Sequence, residues 1–190
     1  YKGTQKVINI SKGLDLPISG SPTNIISDEP NVSSVALLSN DFIGMKPTML
    51  VKEGETVKAG QKIFEDKKNN GVYFTSPAGG IVKDINRGDK RRFLSIEIDI
   101  KDTEEFVNFD MDDSDDQIKD CLIDSGLWNA FRTRPFNRTP GINEIHDAVF
   151  LICCDSNPLS IDPYEIILHN KIEFDEGLNV LTDFFKCNIN

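Results

Sequence analysis

The sequence predicts a mixed α+β chain, with a β-rich half over residues 1–110 followed by the opening of an α/β unit over residues 111–190. Three observations lead there. Apolar and polar side chains alternate through Met49–Ile63 and again toward Ile100, with glycine turns between them. An acidic run near Asp110 changes the character of the chain, and beyond it helical spacing gives way to one continuous apolar run. At 190 residues the chain is long enough to bury a real core.

Taken in order, Val7–Ile10 alternates as a short strand, GLDLPISGSP breaks it with Gly and Pro, and Val35–Leu38 is a short apolar stretch. MLVKEGETVKAGQKIFEDKK then alternates around Glu53-Gly54 and Ala59-Gly60. Both pairs suit tight turns with positive φ, so two hairpins are expected. SPAGGIVKDI starts another strand with Pro77 at its entrance, where a missing amide donor does least harm. The segment Arg91–Ile100, ending in RFLSIEIDI, closes the pattern. Together these strands predict a small β-sandwich.

DMDDSDDQ reads as a solvated linker or the start of a helix whose amide end tolerates negative charge. Ile118, Cys121 and Leu122 recur at helical spacing, and Gly126 is placed to end the helix. The next segment, SGLWNAFRTRPFNRTP, concentrates Arg132, Arg134 and Arg138 among Trp128, Phe131 and Phe136. Arginines can hold a carboxylate or phosphate bidentately, and the aromatics can pack on a planar ring or a partner protein; the competing reading is a structural loop. Ala148–Cys154 reads as a strand buried on both faces, as parallel strands are. After the loop Asp155-Ser-Asn-Pro-Leu, Asp162 serves as N-cap, Pro163 as first helical residue, and Glu165 completes a capping box. Strand, loop and helix in this order open a Rossmann-like α/β unit. No glycine-rich phosphate motif appears, and Asp155 and Asp162 stand where a phosphate would want amides and positive charge.

Composition excludes several functions. With 31 acidic against 21 basic residues the formal net charge is −10, which over most of the surface repels phosphate backbones and anionic lipid headgroups and disfavours general binding to nucleic acid. No apolar run approaches the roughly 20 residues of a membrane span, and no leader opens the chain, so a soluble chain is expected. The four cysteines lack metal-ligand spacing, and Cys153 and Cys154 are expected to be small buried hydrophobes in a reducing, cytoplasmic setting. His146 and His169 lie apart without metal-ligand partners, and Ser125 and Ser156 lack a nucleophile elbow. No catalytic residue and no metal site is expected. Tyr1 in place of methionine, and an end shortly after an apolar helical pattern, read as a piece of a longer protein.

Val51-Lys-Glu-Gly-Glu-Thr-Val-Lys-Ala-Gly-Gln-Lys-Ile63, followed by Pro77-Ala-Gly-Gly-Ile-Val82, resembles the biotinyl/lipoyl barrel-sandwich hybrid. Carriers of that fold place their modified lysine seven residues beyond the position of Ile63, which here is Asn70, and counting back from Pro77 lands on Asn69. Lys67 and Lys68 miss both counts. The flanking residues that ligases read are also absent, although Asp66-Lys67 comes near one of them. No covalent biotin or lipoate is expected. A carrier modified on Lys67 or Lys68 is the alternative.

Across nearly the whole chain the sequence resembles the A-subunit family of the Na+-translocating NADH:quinone oxidoreductase. KGLDLPISG, GMKPTMLVKEGETVKAGQ, FEDKKNNGV, SPAGGIV, INRGDKR, SGLWNAFRTRPF and DSNPLSIDP carry the resemblance. It implies a peripheral component on the cytoplasmic face of a bacterial inner-membrane complex that passes electrons from NADH to ubiquinone and exports sodium. The fragment alone is not expected to be catalytic. The remaining subunits of the complex are its implied partners, and ubiquinone is admitted as a ligand. The family is distantly similar to the C subunit of the Rnf complex and to the NADH-binding flavoprotein of respiratory complex I. There a loop of the type SGLRGRGGAGFPT lets backbone amides approach FMN phosphate. Here Trp128, Phe131, Arg132 and Arg134 replace small residues, which implies loss of FMN and NADH binding. The candidates for contact with quinone or with a partner protein are Trp128, Phe131, Arg132, Arg134 and Phe136. A soluble flavin or NADH enzyme is a further alternative.

Overall fold

The computed structural model describes residues 11, 13, 17–23, 26, 32–101, 105–109, 115–144, 146–155 and 157–189. The strand expected at Val7–Ile10 and most of the acidic run at residues 110–114 lie outside the described residues.

Seven strands build the first half: β1 (Ser34–Leu38), β2 (Pro47–Met49), β3 (Thr56–Val57), β4 (Lys62–Asp66), β5 (Tyr73–Thr75), β6 (Gly80–Arg87) and β7 (Phe93–Ile100). They form two antiparallel sheets, ordered β1-β7-β6-β3 and β2-β4-β5. Alternation along the strands sends Val57, Val82, Ile96 and Ile98 inward from one sheet, and Phe64 and Phe74 from the other. The Phe64 and Phe74 rings stack with centroids 4.5 Å apart. This is the expected sandwich.

The expected pair of hairpins needs correction. Both glycine turns are present, with φ of 81° at Gly54 and at Gly60. The strands they join, however, do not pair in succession, since β2 pairs with β4 and β3 with β6. The cause lies in the turn hydrogen bonds: the Gly54 amide donates to Val82 O at 2.7 Å and the Val82 amide to Glu55 O at 2.9 Å. Each turn therefore carries the chain across to the opposite sheet. Tight hairpins do form elsewhere, between β4 and β5 around residues 67–72 and between β6 and β7 around residues 88–92.

In the second half, α1 (Asp115–Asp124) buries Ile118 and Ile123 and ends before Gly126, which adopts the left-handed φ of 81° expected at its position. A short 3-10 turn, Leu127–Ala130, and a loop lead to β8 (Ala148–Val149), α2 (Pro163–His169), α3 (Lys171–Phe185) and β9 (Asn188–Ile189), which pairs with β8 in parallel. Asp162 Oδ1 accepts from the Tyr164 amide at 3.0 Å with Pro163 at the first helical position, the expected N-cap and entry. The Glu165 carboxylate does not reach back to the Asp162 amide, so the expected capping box does not close.

The strand expected over Ala148–Cys154 is shorter and more exposed than the apolar run suggests. Its ladder covers Ala148 and Val149 alone, while Phe150 is 55% and Ile152 is 73% exposed. Cys153 and Cys154 are likewise exposed, not buried. β9 reaches only two positions, and among the described residues no second neighbour or helical layer covers the rest.

Candidate functional site

The arginine and aromatic loop begins where α1 stops. Thr75 Oγ1 donates to Ser125 O at 2.8 Å, and a β-carbon at Gly126 would stand 2.5 Å from that hydroxyl, so the helix end meets β5 with no room for a side chain. Trp128 then turns into the barrel. It is 3% exposed, joins the cluster of Phe64, Phe74 and Ile96, and donates from Nε1 to Pro140 O at 3.0 Å. Asn129, also buried, donates from Nδ2 to Tyr73 O at 2.5 Å. Its Oδ1 meets no donor among the described residues. Phe131 lies edge-on to Trp128 at 5.5 Å and to Phe185 at 5.2 Å, linking the loop to α3.

Arg132 is half-buried and spends its guanidinium on backbone. It donates to Asn129 O, to Phe131 O at 3.0 Å and to Asp41 O at 3.5 Å, with the Phe42 ring 5.2 Å away. Burial pulls its pKa below the usual arginine value, and the Asp41 carboxylate opposes that shift. Arg134 and Phe136 point outward. The Arg134 guanidinium lies 4.9 Å over Phe150, and Arg138 lies 5.8 Å over Phe136, which is 68% exposed. The five contact candidates thus divide. Trp128, Phe131 and Arg132 bind the loop to the barrel, and Arg134 and Phe136 form its outer face.

That face borders a cleft of about 420 Å³ lined by Phe42, Met45, Asp66, Lys68, Phe136, Arg138 and Glu144, among others. Its floor is the β4–β5 hairpin tip. Buried Asp66 accepts from the amides of Lys46 and Lys68, both at 3.0 Å, and Lys68 Nζ donates to Gly44 O at 2.8 Å. Asn69 donates from Nδ2 to Thr139 O at 3.3 Å and to Pro140 O at 3.1 Å. Sequence reasoning passes over Asn69 and Asn129 as contacts between the two halves. The signal available for Asn69 is its place at the carrier count.

Elsewhere chemistry is sparse. The Asp155 carboxylate accepts from the Asn157 amide at 2.9 Å and from Ser160 Oγ at 2.8 Å, and those bonds hold its pKa below the usual range. It therefore stays anionic in the loop between β8 and α2. No group of metal-ligating side chains comes together among the described residues.

A β-sandwich whose hairpin tip is locked by an aromatic loop leading into an α/β segment defines a two-part scaffold, the barrel-sandwich hybrid joined to an α/β domain. Residues 8–101 match the family model described as "NqrA N-terminal barrel-sandwich hybrid domain", and residues 113–190 match "NqrA second alpha/beta domain". The chain belongs to the NqrA family. It is 51% identical over 183 residues to a protein of Photorhabdus laumondii, covering 93% of this chain and 41% of that protein. It is 45% identical over 185 residues to one of Actinobacillus pleuropneumoniae serotype 5b, covering 94% and 41%. Identity to one of Klebsiella pneumoniae is 48% over 182 residues, covering 93% and 41%. Each of these relatives is named as the A subunit of a Na(+)-translocating NADH-quinone reductase. The chain spans about two fifths of the length of the curated relatives it matches.

Proposed function

We propose that the chain serves as part of the NqrA component of a sodium-pumping respiratory complex that passes electrons from NADH to ubiquinone, peripheral to the membrane on its cytoplasmic face. The observation that carries this reading is the pair of consecutive NqrA domain matches, over residues 8–101 and 113–190, together with identities of 45–51% to relatives of that name. No helix among the described residues is long and apolar enough to cross a membrane, which supports peripheral attachment.

Within the complex, the outer face of the loop contacts the quinone headgroup or a neighbouring protein of the assembly. Arg134, Phe136 and Arg138 support this reading: exposed arginines and an aromatic ring beside a cleft are the groups that dominate binding energy. FMN and NADH are not held by this chain. In its support, the loop amides that a phosphate would need already donate internally, Asn129 to Gly126 O at 3.1 Å, Phe131 to Trp128 O at 3.2 Å and Thr133 to Arg138 O at 2.8 Å.

The test is Arg134→Ala with Phe136→Ala in the assembled complex. Loss of about 2 kcal/mol, roughly thirtyfold in assembly or quinone reductase activity, is expected with an unchanged melting temperature. Normal assembly and full activity would leave the loop a structural element only. Arg132→Ala is the contrasting variant. It should lower the melting temperature, since its guanidinium holds the loop closed.

A further inference from the structure

The turn joining β6 to β7 reads Arg87-Gly88-Asp89-Lys90-Arg91-Arg92, four cations and one carboxylate in a chain of net charge −10. All four cations are exposed. Among the described residues none of them forms an ion pair, and the only side-chain hydrogen bond is from Arg87 Nη1 to Arg91 O at 3.4 Å. The backbone here is strained. Lys90 has φ 54° and Arg91 φ 60°, left-handed positions where Gly or Asn is the unstrained choice. Hydrogen bonds from the Gly88 amide to Arg92 O at 2.8 Å and from the Arg92 amide to Asp89 O at 3.1 Å hold the turn in that form. Two long cationic side chains therefore stand where the fold would accept glycine.

Exposed aliphatic side chains share this end of the barrel. Leu94 is 36% exposed and would touch a β-carbon on Gly88 at 3.3 Å. Because β1 runs antiparallel to β7, with Leu38 opposite Ser95, the exposed Leu38 reaches the same end.

We propose that this end of the barrel docks on an anionic phospholipid surface, with the four cations meeting headgroup phosphates and Leu94 and Leu38 resting at the headgroup boundary. Cations flanked by aliphatics suit that boundary. A nucleic acid fits less well, because the turn carries no aromatic ring for a base to stack on and the flanking Leu94 and Leu38 would find no apolar partner along a phosphate backbone. At physiological salt, charges more than about 8 Å from the lipid are largely screened, so the negative charge of the remaining surface does not prevent contact through the turn. The inference does not depend on the quinone reading.

The experiment is co-sedimentation of the full chain with phosphatidylcholine vesicles, with and without about one third phosphatidylglycerol, at about 0.1 M salt. Binding to the anionic vesicles alone is expected. Lys90→Glu with Arg91→Glu and Arg92→Glu should weaken it by at least about a hundredfold, at roughly fivefold per cation removed and more from the added carboxylates. Lys58→Glu with Lys101→Glu and Lys119→Glu makes the same change in net charge away from the turn, Lys101 standing just past the opposite end of β7, and should bind within about threefold of the parent chain. Lys90→Gly with Arg91→Gly relieves the backbone and should melt no lower than the parent while binding at least about twentyfold more weakly. Absence of binding to anionic vesicles overturns the proposal, as does equal loss in both glutamate variants or undiminished binding by the glycine variant. Retention on duplex DNA without vesicle binding would make the turn a nucleic-acid contact instead.

Discussion

Trp128 shows what composition alone could not resolve. A tryptophan among arginines reads equally as a contact residue or a core residue, because its ring is apolar and its N–H needs only one partner. Here the partner is the Pro140 carbonyl and the ring belongs to the core. Trp128→Ala should cost about 3–5 kcal/mol in chemical denaturation, whereas Trp128→Phe should cost only about 1 kcal/mol, because it removes one hydrogen bond while Asn69 Nδ2 still donates to that carbonyl. Cysteine placement departs from expectation for a related reason, since an apolar run says nothing about whether another layer covers it. Cys153 and Cys154 are exposed, while burial, assisted by the Asp124 charge, raises the pKa of Cys121. A raised thiol pKa means less thiolate at a given pH. At about pH 8, iodoacetamide followed by peptide mass mapping should modify Cys153 and Cys154 well before Cys121, with the gap narrowing as pH rises.

Individual elements are largely legible in the sequence and their pairing is not. Period-two alternation and the two positive-φ glycines mark strands and turns, because both are local properties of the chain. Which strand lies beside which depends on bonds such as Gly54 N–H to Val82 O, between residues far apart in sequence. The β4–β5 hairpin is the clearest case. The lysine count puts Asn69 at the carrier position, and the structure pins that asparagine to two carbonyls of the second half. Asn69→Ala should destabilise by about 1–2 kcal/mol and speed amide hydrogen exchange through the loop that follows Arg138. Intact mass of the protein from a host with active biotin and lipoate ligases should be that of the unmodified chain. An increment mapping to Lys67 or Lys68 would restore the carrier reading.

On the scale of the molecule, the two halves share one core. Ile123 and Trp128 from the second half lie in the same buried cluster as Val57, Phe64 and Ile98 from the first. Unfolding should therefore be a single transition with coincident tryptophan fluorescence and circular dichroism, and a chain ending at residue 110 should melt lower than the whole. The mixed α+β class is readable from the order of periodicities. The shared core is not, because Trp128 carries no periodic signal of its own. The exposed apolar stretch after β8 has a consequence for cleavage. Residues 150–155 have no helix or strand hydrogen bonding to protect them and offer Phe150 and Leu151 to a protease cleft. Chymotrypsin at low dose should cut there first. The released amino-terminal product should keep the barrel, the buried tryptophan and the hairpin lock intact, so it would resist further digestion while the helices α2 and α3 are lost.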